Sequence, residues 1–530
     1  MHKRKLTATL LAALLAFSLC GCGTKSTTSS KKDKKTKKTT TEETEESSSE
    51  TEEPSETENP TGTGSSSSET DPSTFDFGPV SKDTIEDYLG TIDRLTSFEC
   101  LSSGKSTELK YSLLFEMPLD WNDPDAGTFP LRATFTFVDG EASNTFCCDG
   151  YFLYDMDLQS SDTYRYSFAD RYRTNYIQVE HRFYGKSVPD GLSVDSLDYW
   201  EYLTDENASE DFHYIISSFK KFLSGNWAFT GGSKGGQLTN MQSYFHPEDA
   251  DVYISYVAPG GSAQDAPDFF DFIYTEIGND AYGEVQAQIY RDLVLEVQVE
   301  AIKHRDEFAE KYYEEGINAG FCYTDYVTPD ILFDMCVLDF ATITWQYSQD
   351  FDRLQKAIDM RDNNDPGYSD YLYRLIFQTN TPDVWAHNSE YFAYYVQAAK
   401  QNGEHEYDFS FLRAALEADG SGAQLVVTED MEEGLLFRMV FTPEQFEAFT
   451  FDDTVYKNML EWSHTTDSLV IMIYGGADVW YSVRLPDVTD NDNVHIYTIP
   501  NASHMADFYM MSRDMREEIY GMLDPILNWY

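Results

Sequence analysis

Apolar residues along this chain form short runs that alternate with longer stretches of helical spacing. The runs predict strands at residues 145–153, 176–180, 227–230, 252–258, 469–474 and 494–499. Helical spacing lies between or after them, at residues 210–223, 235–245 and 505–527. Alternation of this kind is typical of a parallel sheet with crossover helices.

Two regions depart from that alternation. Residues 110–116 and 131–138 predict a hairpin, because the stretch between them contains the turn residues of 121–127. Between about 264 and 451 the alternation stops, and long aromatic-rich helical stretches take its place at 282–313 and 331–349. The simplest interpretation is a sheet domain in two parts, 79–263 and 452–530, with a helical cap inserted at 264–451.

The N-terminal residues predict export. Residues 1–22 have a basic start, an apolar run too short to span a bilayer and a sequence before Cys22 that resembles a lipobox. Cys22 would then be acylated and hold the protein at the extracellular face of the bacterial membrane. Residues 23–78 are rich in Ser, Thr, Glu and Lys and predict a disordered tether. An ordinary signal peptide cleaved nearby is the alternative.

Charge and cysteine content narrow the function classes. The chain has 38 Lys and Arg against 92 Asp and Glu, a net charge of -54, which repels nucleic acid. Cysteines and histidines do not cluster with the spacing of a metal site, so no metal is predicted. Cys322 and Cys336 are near enough in sequence to bridge, but spacing alone does not establish a pair.

The strongest chemical signal is Gly-Gly-Ser-Lys-Gly at 231–235, placed between a predicted strand and a predicted helix. This is the context of a nucleophile elbow, in which a tight turn exposes the serine oxygen and flanking glycines allow close packing. Ser233 is therefore the candidate nucleophile. A plain turn between a strand and a helix is the alternative.

A serine nucleophile needs a histidine base and an orienting carboxylate. Asp478 follows the strand predicted at 469–474, and His504 follows the strand predicted at 494–499. The order Ser, Asp, His, with each residue after a strand, is the order of α/β-hydrolases. The fold class predicted is therefore an α/β-hydrolase with an inserted, mainly helical cap. Rival acids and histidines, interpreted as surface or structural residues, are Asp487, Asp490, His246, His304, His464 and His495.

An oxyanion formed during the reaction also needs hydrogen-bond donors. The backbone N–H of Lys234 is the first candidate, since it directly follows the nucleophile. The second donor is expected from the loop after an earlier strand, where Gly150 or Tyr151 is the candidate.

Several motifs together resemble a known family. Residues 227–259, including Trp-Ala-Phe-Thr-Gly-Gly-Ser-Lys-Gly-Gly, and residues 179–189 are similar to the secreted bacterial serine tripeptidyl aminopeptidases, which are related to the prolyl carboxypeptidases and dipeptidyl peptidases. Lys234, where those relatives usually carry tyrosine, favours the tripeptidyl branch. Val479, where the family usually has proline, and the middle of the cap do not match.

The resemblance implies hydrolysis of peptides from free N-termini, releasing tripeptides through an acyl-enzyme on Ser233, with His504 as base and Asp478 orienting it. No cofactor is implied. An aminopeptidase must also hold the substrate ammonium, and the candidate carboxylates are Glu180, Asp265, Asp268 and Asp271. Aromatic candidates for the substrate pocket are Trp345, Tyr347 and Trp480.

Two other functions remain open. An esterase, or a prolyl carboxypeptidase-like or dipeptidyl-peptidase-like enzyme, would use the same three residues, because the fold does not dictate the substrate. A non-catalytic binding lipoprotein would explain the anchor and the acidity but not Ser233, Asp478 and His504. The oligomeric state is left open.

Overall fold

The computed structural model of the chain describes residues 77–103 and 106–528. The predicted signal peptide, Cys22 and all but the last two residues of the predicted tether lie outside the described residues. Within them, no helix combines the length and the apolar character that crossing a bilayer requires. Each of the five cysteines in this part of the chain is a free thiol, Cys322 and Cys336 included.

A nine-stranded sheet forms the centre of the fold. Its strands are β1 (Leu95–Cys100), β2 (Leu109–Pro118), β3 (Thr128–Phe137), β4 (Asn144–Cys148), β5 (Asn175–Val179), β6 (Trp227–Gly232), β7 (Val252–Tyr256), β10 (Leu469–Gly475) and β11 (Val494–Ile499). The order across the sheet is β1-β2-β3-β5-β4-β6-β7-β10-β11. β1, β2 and β3 are antiparallel to their neighbours, while the six strands from β5 to β11 run parallel. Two short strands, β8 (Asp265–Ala266) and β9 (Glu404–His405), form a separate parallel pair.

The parallel strands are buried on both faces, as a parallel sheet between helices requires. Successive side chains of a strand point to opposite faces. Phe229 and Tyr253 accordingly join the core on one face, while Ala228 and Ile254 join the core on the other. This two-sided burial explains why the strands appear in the sequence as continuous apolar runs.

Helices cover both faces of the sheet. Those outside the insert are α1 (Ile85–Leu89), α2 (Asp155–Gln159), α3 (Ser167–Tyr172), α4 (Asp205–Lys220), α5 (Lys234–Phe245), α18 (Thr454–Ser463) and α19 (Arg513–Leu523). Short 3₁₀ turns lie at Pro124–Ala126, Trp200–Tyr202, Val479–Val483 and Phe508–Met510.

Residues 264–451 are helical apart from β8, β9 and loops. Their helices are α6 (Phe269–Thr275), α7 (Asn279–Tyr282), α8 (Glu284–Lys303), α9 (Arg305–Ala319), α10 (Pro329–Ile343), α11 (Phe351–Asp362), α12 (Tyr368–Phe377), α13 (Phe392–Gln397), α14 (Ser410–Asp419), α15 (Glu429–Glu432), α16 (Leu435–Val440) and α17 (Pro443–Ala448), with π-turns at Thr344–Ser348 and Ala398–Asn402. Five aromatic residues of the stretches predicted at 282–313 and 331–349 are buried: Phe308, Tyr312, Phe333, Phe340 and Trp345.

Three predicted boundaries differ from the structure. The stretch predicted as helical at 282–313 is broken at His304, whose backbone (φ -98°, ψ 15°) leaves helical geometry. The last helix begins at Arg513 rather than near residue 505, because Asp507 instead caps a 3₁₀ turn by accepting from the Tyr509 N–H. β4 ends at Cys148 rather than at residue 153, since the chain turns at Gly150 with φ of 87°.

A fully buried ion pair joins the loop after β5 to helix α4. Arg182 Nε lies 2.8 Å from Asp211 Oδ2, and Arg182 Nη2 lies 2.8 Å from Asp211 Oδ1. The same guanidinium donates to the carbonyl oxygens of Leu119 and Tyr202. A buried charge is tolerated when it is paired and fully hydrogen-bonded, and this pair satisfies both conditions.

Replacing Arg182 should therefore destabilise the fold. We expect Arg182→Met to lower the free energy of unfolding by about 3–5 kcal/mol, because it leaves the Asp211 carboxylate buried without a cation. The double variant Arg182→Met/Asp211→Leu should recover part of that loss. Chemical denaturation measures both, with Arg173→Met as the control, since Arg173 is half-exposed and bridges to Glu108 at the surface. Equal losses in the single and double variants would contradict the prediction.

Candidate active site

The site lies where the strand order reverses at the carboxyl edge of the sheet. β4 is flanked by β5 on one side and by β6 on the other, so the loops that leave β4 and β6 go to opposite faces. In open α/β sheets, ligands bind in the crevice at such a switch point. The loop after β4 carries Gly150 and Tyr151, and the turn after β6 carries Ser233.

Ser233 occupies a strained turn between β6 and α5. Its backbone has φ of 56° and ψ of -125°, a conformation that residues with a side chain rarely adopt. The Ser233 N–H donates to the Tyr256 carbonyl oxygen at 2.9 Å, which holds the turn against β7. A Cβ on Gly235 would lie 2.5 Å from the carbonyl oxygen of Cys148, and one on Gly150 would lie 2.4 Å from the Gly235 nitrogen. Glycine is therefore required at both positions.

Three side chains from separate strand ends meet beside this turn. His504 Nε2 lies 2.8 Å from Ser233 Oγ, and His504 Nδ1 lies 2.8 Å from Asp478 Oδ2. Asp478 and His504 are both buried, and Asp478 Oδ1 accepts from the Trp480 N–H at 3.3 Å. An imidazole in this position can accept the hydroxyl proton while the carboxylate fixes its tautomer.

The cap helps to hold the loops that carry Asp478 and His504. The His504 N–H donates to the Gln346 carbonyl oxygen at 3.2 Å, and the Gln349 side chain donates to the Ala477 carbonyl oxygen at 3.0 Å. Both glutamines belong to the π-turn that ends α10 or follow it directly. The cap thus contributes directly to the geometry of the site.

The two expected sources of oxyanion donors lie beside Ser233. Gly150 packs against Lys234 and Gly235, which brings the loop after β4 into contact with the turn. The Tyr151 side chain interacts with the Ser233 side chain. Burial raises the pKa of Tyr151 well above its usual range, so the hydroxyl stays protonated and can donate. Sequence reasoning considered the backbone of Gly150 or Tyr151, and the structure adds the Tyr151 side chain.

The Lys234 side chain is buried beneath the turn rather than directed to solvent. Its amino group lies over the ring of Tyr184, 5.1 Å from the centroid, and interacts with the buried Asp205. Burial lowers the pKa of Lys234 and raises that of Asp205. The amide of Asn402, in the cap, donates to both oxygens of Asp205 at 2.8 and 2.7 Å. This cluster links the nucleophile turn to the cap.

The rival acids and histidines lie away from Ser233. His464 Nδ1 pairs with Asp490 Oδ1 at 2.6 Å on the surface, so two of the rivals are bonded to each other. Asp487 pairs with Arg484. His246 contacts Glu210, and His304 contacts Glu307.

Of the aromatic residues predicted to bind substrate, two border the site and one is buried in the cap. Trp345 is 0% exposed and packs against Phe351 in the cap, which corrects its assignment to the pocket. Tyr347 is 51% exposed, and its ring stands edge-on to His504 at 6.1 Å. The Trp480 ring lies 6.4 Å from His504. Tyr347 and Trp480 therefore border the site.

The four acids predicted as ammonium-binding candidates differ in burial and in their ion-pair partners. Glu180 is buried and paired with Arg132, which contacts both carboxylate oxygens, so it is not free for a substrate cation. Asp268 and Asp271 are exposed at the start of α6. Asp265 is half-buried in β8, where burial and the charge of Glu404 raise its pKa to about 6. Sequence reasoning missed Glu404, because no motif of the cap pointed to it.

Residues 85–529 match the family described as PS-10 peptidase S37. A prolyl tri/tetrapeptidyl aminopeptidase from Streptomyces mobaraensis is 24% identical over 422 residues, which cover 79% of each chain.

Two solved structures are more distant. An acetylester hydrolase from Corynebacterium glutamicum aligns with a TM-score of 0.34 at 12% identity, covering 81% of this chain and 95% of that one. A bromoperoxidase from Bacillus anthracis aligns with a TM-score of 0.30 at 12% identity, covering 77% and 99%.

The sheet order, the strained serine turn and the order of Ser233, Asp478 and His504 along the chain define the class as an α/β-hydrolase. The chain belongs to the PS-10 peptidase S37 family and is a serine peptidase. This confirms the predicted fold class and the family resemblance to serine tripeptidyl aminopeptidases.

A buried acid next to the site makes stability depend on pH. Burial raises the pKa of Asp149 to about 7, although Gln178 donates to its carboxylate at 2.7 Å. Between about pH 4 and 7 the folded protein therefore keeps a proton that the unfolded chain has lost, so stability falls as pH rises through this window.

Asp149→Asn should remove this dependence. We expect the variant to match the wild type near pH 4 and to be more stable above pH 7, by roughly 2–4 kcal/mol. Denaturation midpoints across the pH range measure the difference, and Asp125→Asn, at an exposed turn, serves as the control. A variant that loses stability with pH as steeply as the wild type would refute the assignment to Asp149.

Proposed function

We propose that this serine peptidase is an exopeptidase of the cell surface that releases tripeptides from the free N-termini of peptides. The observation that carries the chemistry is the line of two 2.8 Å hydrogen bonds from Ser233 Oγ through His504 to Asp478. Ser233 stands at a turn that exposes its oxygen, and a serine hydroxyl in contact with an imidazole is an activated nucleophile.

Acylation follows from this arrangement. His504 Nε2 takes the hydroxyl proton as Ser233 Oγ attacks the scissile carbonyl carbon, and Asp478 accepts from Nδ1–H and stabilises the imidazolium. The negative oxygen of the tetrahedral intermediate forms beside the Lys234 N–H and the Tyr151 hydroxyl. His504 then gives the proton to the leaving amine, and the peptide bond breaks.

Deacylation repeats the same steps with water. His504 removes a proton from the water molecule that attacks the ester carbonyl, and the Ser233 oxygen takes the proton back as the peptide fragment leaves. Each step uses only side chains and backbone groups of this chain.

Tripeptide release is supported by the relative from Streptomyces mobaraensis, named a prolyl tri/tetrapeptidyl aminopeptidase. The cap also supports it, since cap residues border the site beside His504 and beneath the nucleophile turn.

Cell-surface location rests on the sequence of residues 1–22 with Cys22 as the acylated residue. Radiolabelled palmitate should enter the wild-type protein in growing cells and not the Cys22→Ala variant if the anchor exists.

Removal of the nucleophile should abolish turnover. We expect Ser233→Ala to lower kcat by at least about 10³-fold on the peptide substrate and to lose labelling by a fluorophosphonate probe. Mass spectrometry of products from one N-terminally free peptide and its N-acetylated form gives the mode of cleavage. Three-residue fragments from the free peptide alone support the proposal. Cleavage of simple esters without peptide cleavage would favour the esterase alternative.

Removal of the Tyr151 hydroxyl should affect the transition state more than binding. We expect Tyr151→Phe to lower kcat by about 10²–10³-fold with little change in KM, the usual effect of losing one oxyanion donor. Tyr391→Phe is the control, because the Tyr391 ring packs against Tyr151 at 6.1 Å. A change confined to KM would argue against an oxyanion role.

A further inference from the structure

Two carboxylates stand side by side at the base of the cap. β8 and β9 pair in parallel with Asp265 opposite Glu404, and paired residues of neighbouring strands project to the same face roughly 5 Å apart. The two backbones can approach because residue 403 is glycine: a Cβ there would lie 2.3 Å from the Ala263 carbonyl oxygen. The fold thus holds two like charges together at a fixed place.

The pair has no lysine or arginine to balance it in the described part of the chain. Glu404 is only 6% exposed, and it accepts from the Tyr394 hydroxyl. Among the residues that the structure describes, no lysine or arginine forms an ion pair with Asp265 or Glu404. His405 Nδ1 lies 2.6 Å from Glu404 Oε1, but one imidazole cannot balance both acids and the buried Asp339 that also interacts with it. A buried carboxylate is costly unless a cation pairs with it.

Three other buried acids have such partners. Glu180 is paired with Arg132, and Asp211 is paired with Arg182. Asp205 interacts with the amino groups of Lys234 and Lys400. The pair on β8 and β9 differs from these three acids in lacking a lysine or arginine partner within the described residues.

The pair is also connected to the reacting residues from two sides. The Tyr394 ring lies 5.9 Å from the Tyr151 ring, and the Tyr151 side chain interacts with Ser233. On the other side, the His405 ring lies 5.4 Å from Trp480, which lies 6.4 Å from His504. Three extended residues span at most about 10 Å. A tripeptide bound as an acyl group to Ser233 would therefore have its N-terminal amine no farther than about 10 Å from the nucleophile.

We propose that Glu404, with Asp265 beside it, binds the N-terminal ammonium of the substrate and so sets the length of the fragment that is released. This inference rests on the proposed exopeptidase function. The ammonium would supply the missing cation and donate hydrogen bonds to the carboxylate oxygens, while the Tyr394 hydroxyl keeps the Glu404 side chain in place. A peptide whose amine is acetylated offers no charge and leaves the acids unpaired.

The test compares free and N-acetylated forms of one substrate. The substrate is the unblocked tripeptidyl p-nitroanilide that the wild type hydrolyses fastest, and kcat/KM is measured for both forms with the wild type, Glu404→Gln and Asp265→Asn. We expect Glu404→Gln to lower kcat/KM on the free amine by about 10²-fold while leaving the acetylated form nearly unchanged. Asp265→Asn should show a smaller loss of the same kind. Asp271→Asn, an exposed acid in the same part of the cap, should retain wild-type discrimination.

The outcomes separate the two proposals. A wild type that cleaves both forms equally well contradicts the exopeptidase function itself. A wild type that prefers the free amine, together with a Glu404→Gln variant that keeps the same preference, overturns the role of Glu404 alone. Fluorophosphonate labelling counts folded active sites in each variant. If Glu404→Gln does not fold, Glu404→Asp and Asp265→Asn carry the test, and unchanged discrimination in both overturns the proposal.

Discussion

The contact between the carbonyl oxygen of Cys148 and the backbone of Gly235 is the constraint on which the active site depends. It brings the loop after β4 against the first turn of α5, at a distance that no Cβ would permit. Ser233, two residues before Gly235, has its strained conformation in this same turn, and the approach places Gly150 and Tyr151 beside it. One packing requirement therefore fixes the nucleophile and its neighbouring donors together.

The cap forms hydrogen bonds to the loops of the sheet domain that carry the site residues. Asp478 and His504 leave the ends of β10 and β11, and the backbone around them is bonded to the π-turn of the cap through Gln346 and Gln349. On the opposite side, Asn402 bonds to Asp205, the acid beneath Lys234. An inserted domain bonded to the loops that carry Asp478 and His504, and to Asp205 beneath the serine turn, can restrict access without breaking the geometry of the hydrolase sheet.

The free-energy cost of an acidic side chain differs between the surface and the interior of this chain. An excess of acids over bases is inexpensive where water solvates it, and most of the excess is of that kind. Buried acids such as Asp211 and Asp334 instead have arginine partners, because an unpaired charge is unfavourable in the interior. The acids of β8 and β9 have no such lysine or arginine partner within residues 77–103 and 106–528, which is visible only when each carboxylate is compared with its neighbours in the folded chain.

Local patterns in the sequence were sufficient for the parallel strands, the serine turn and the positions of Asp478 and His504, because buried strands are continuous apolar runs and tight turns need glycine. Helix boundaries at His304 and Arg513 were beyond those patterns, since capping and a single non-helical residue decided them. The burial and partners of Trp345, Glu180 and Glu404 are decided by tertiary structure alone. Whether an aromatic ring is core or pocket, and whether an acid already has a cation, depends on residues far away in sequence that only the folded chain brings into contact.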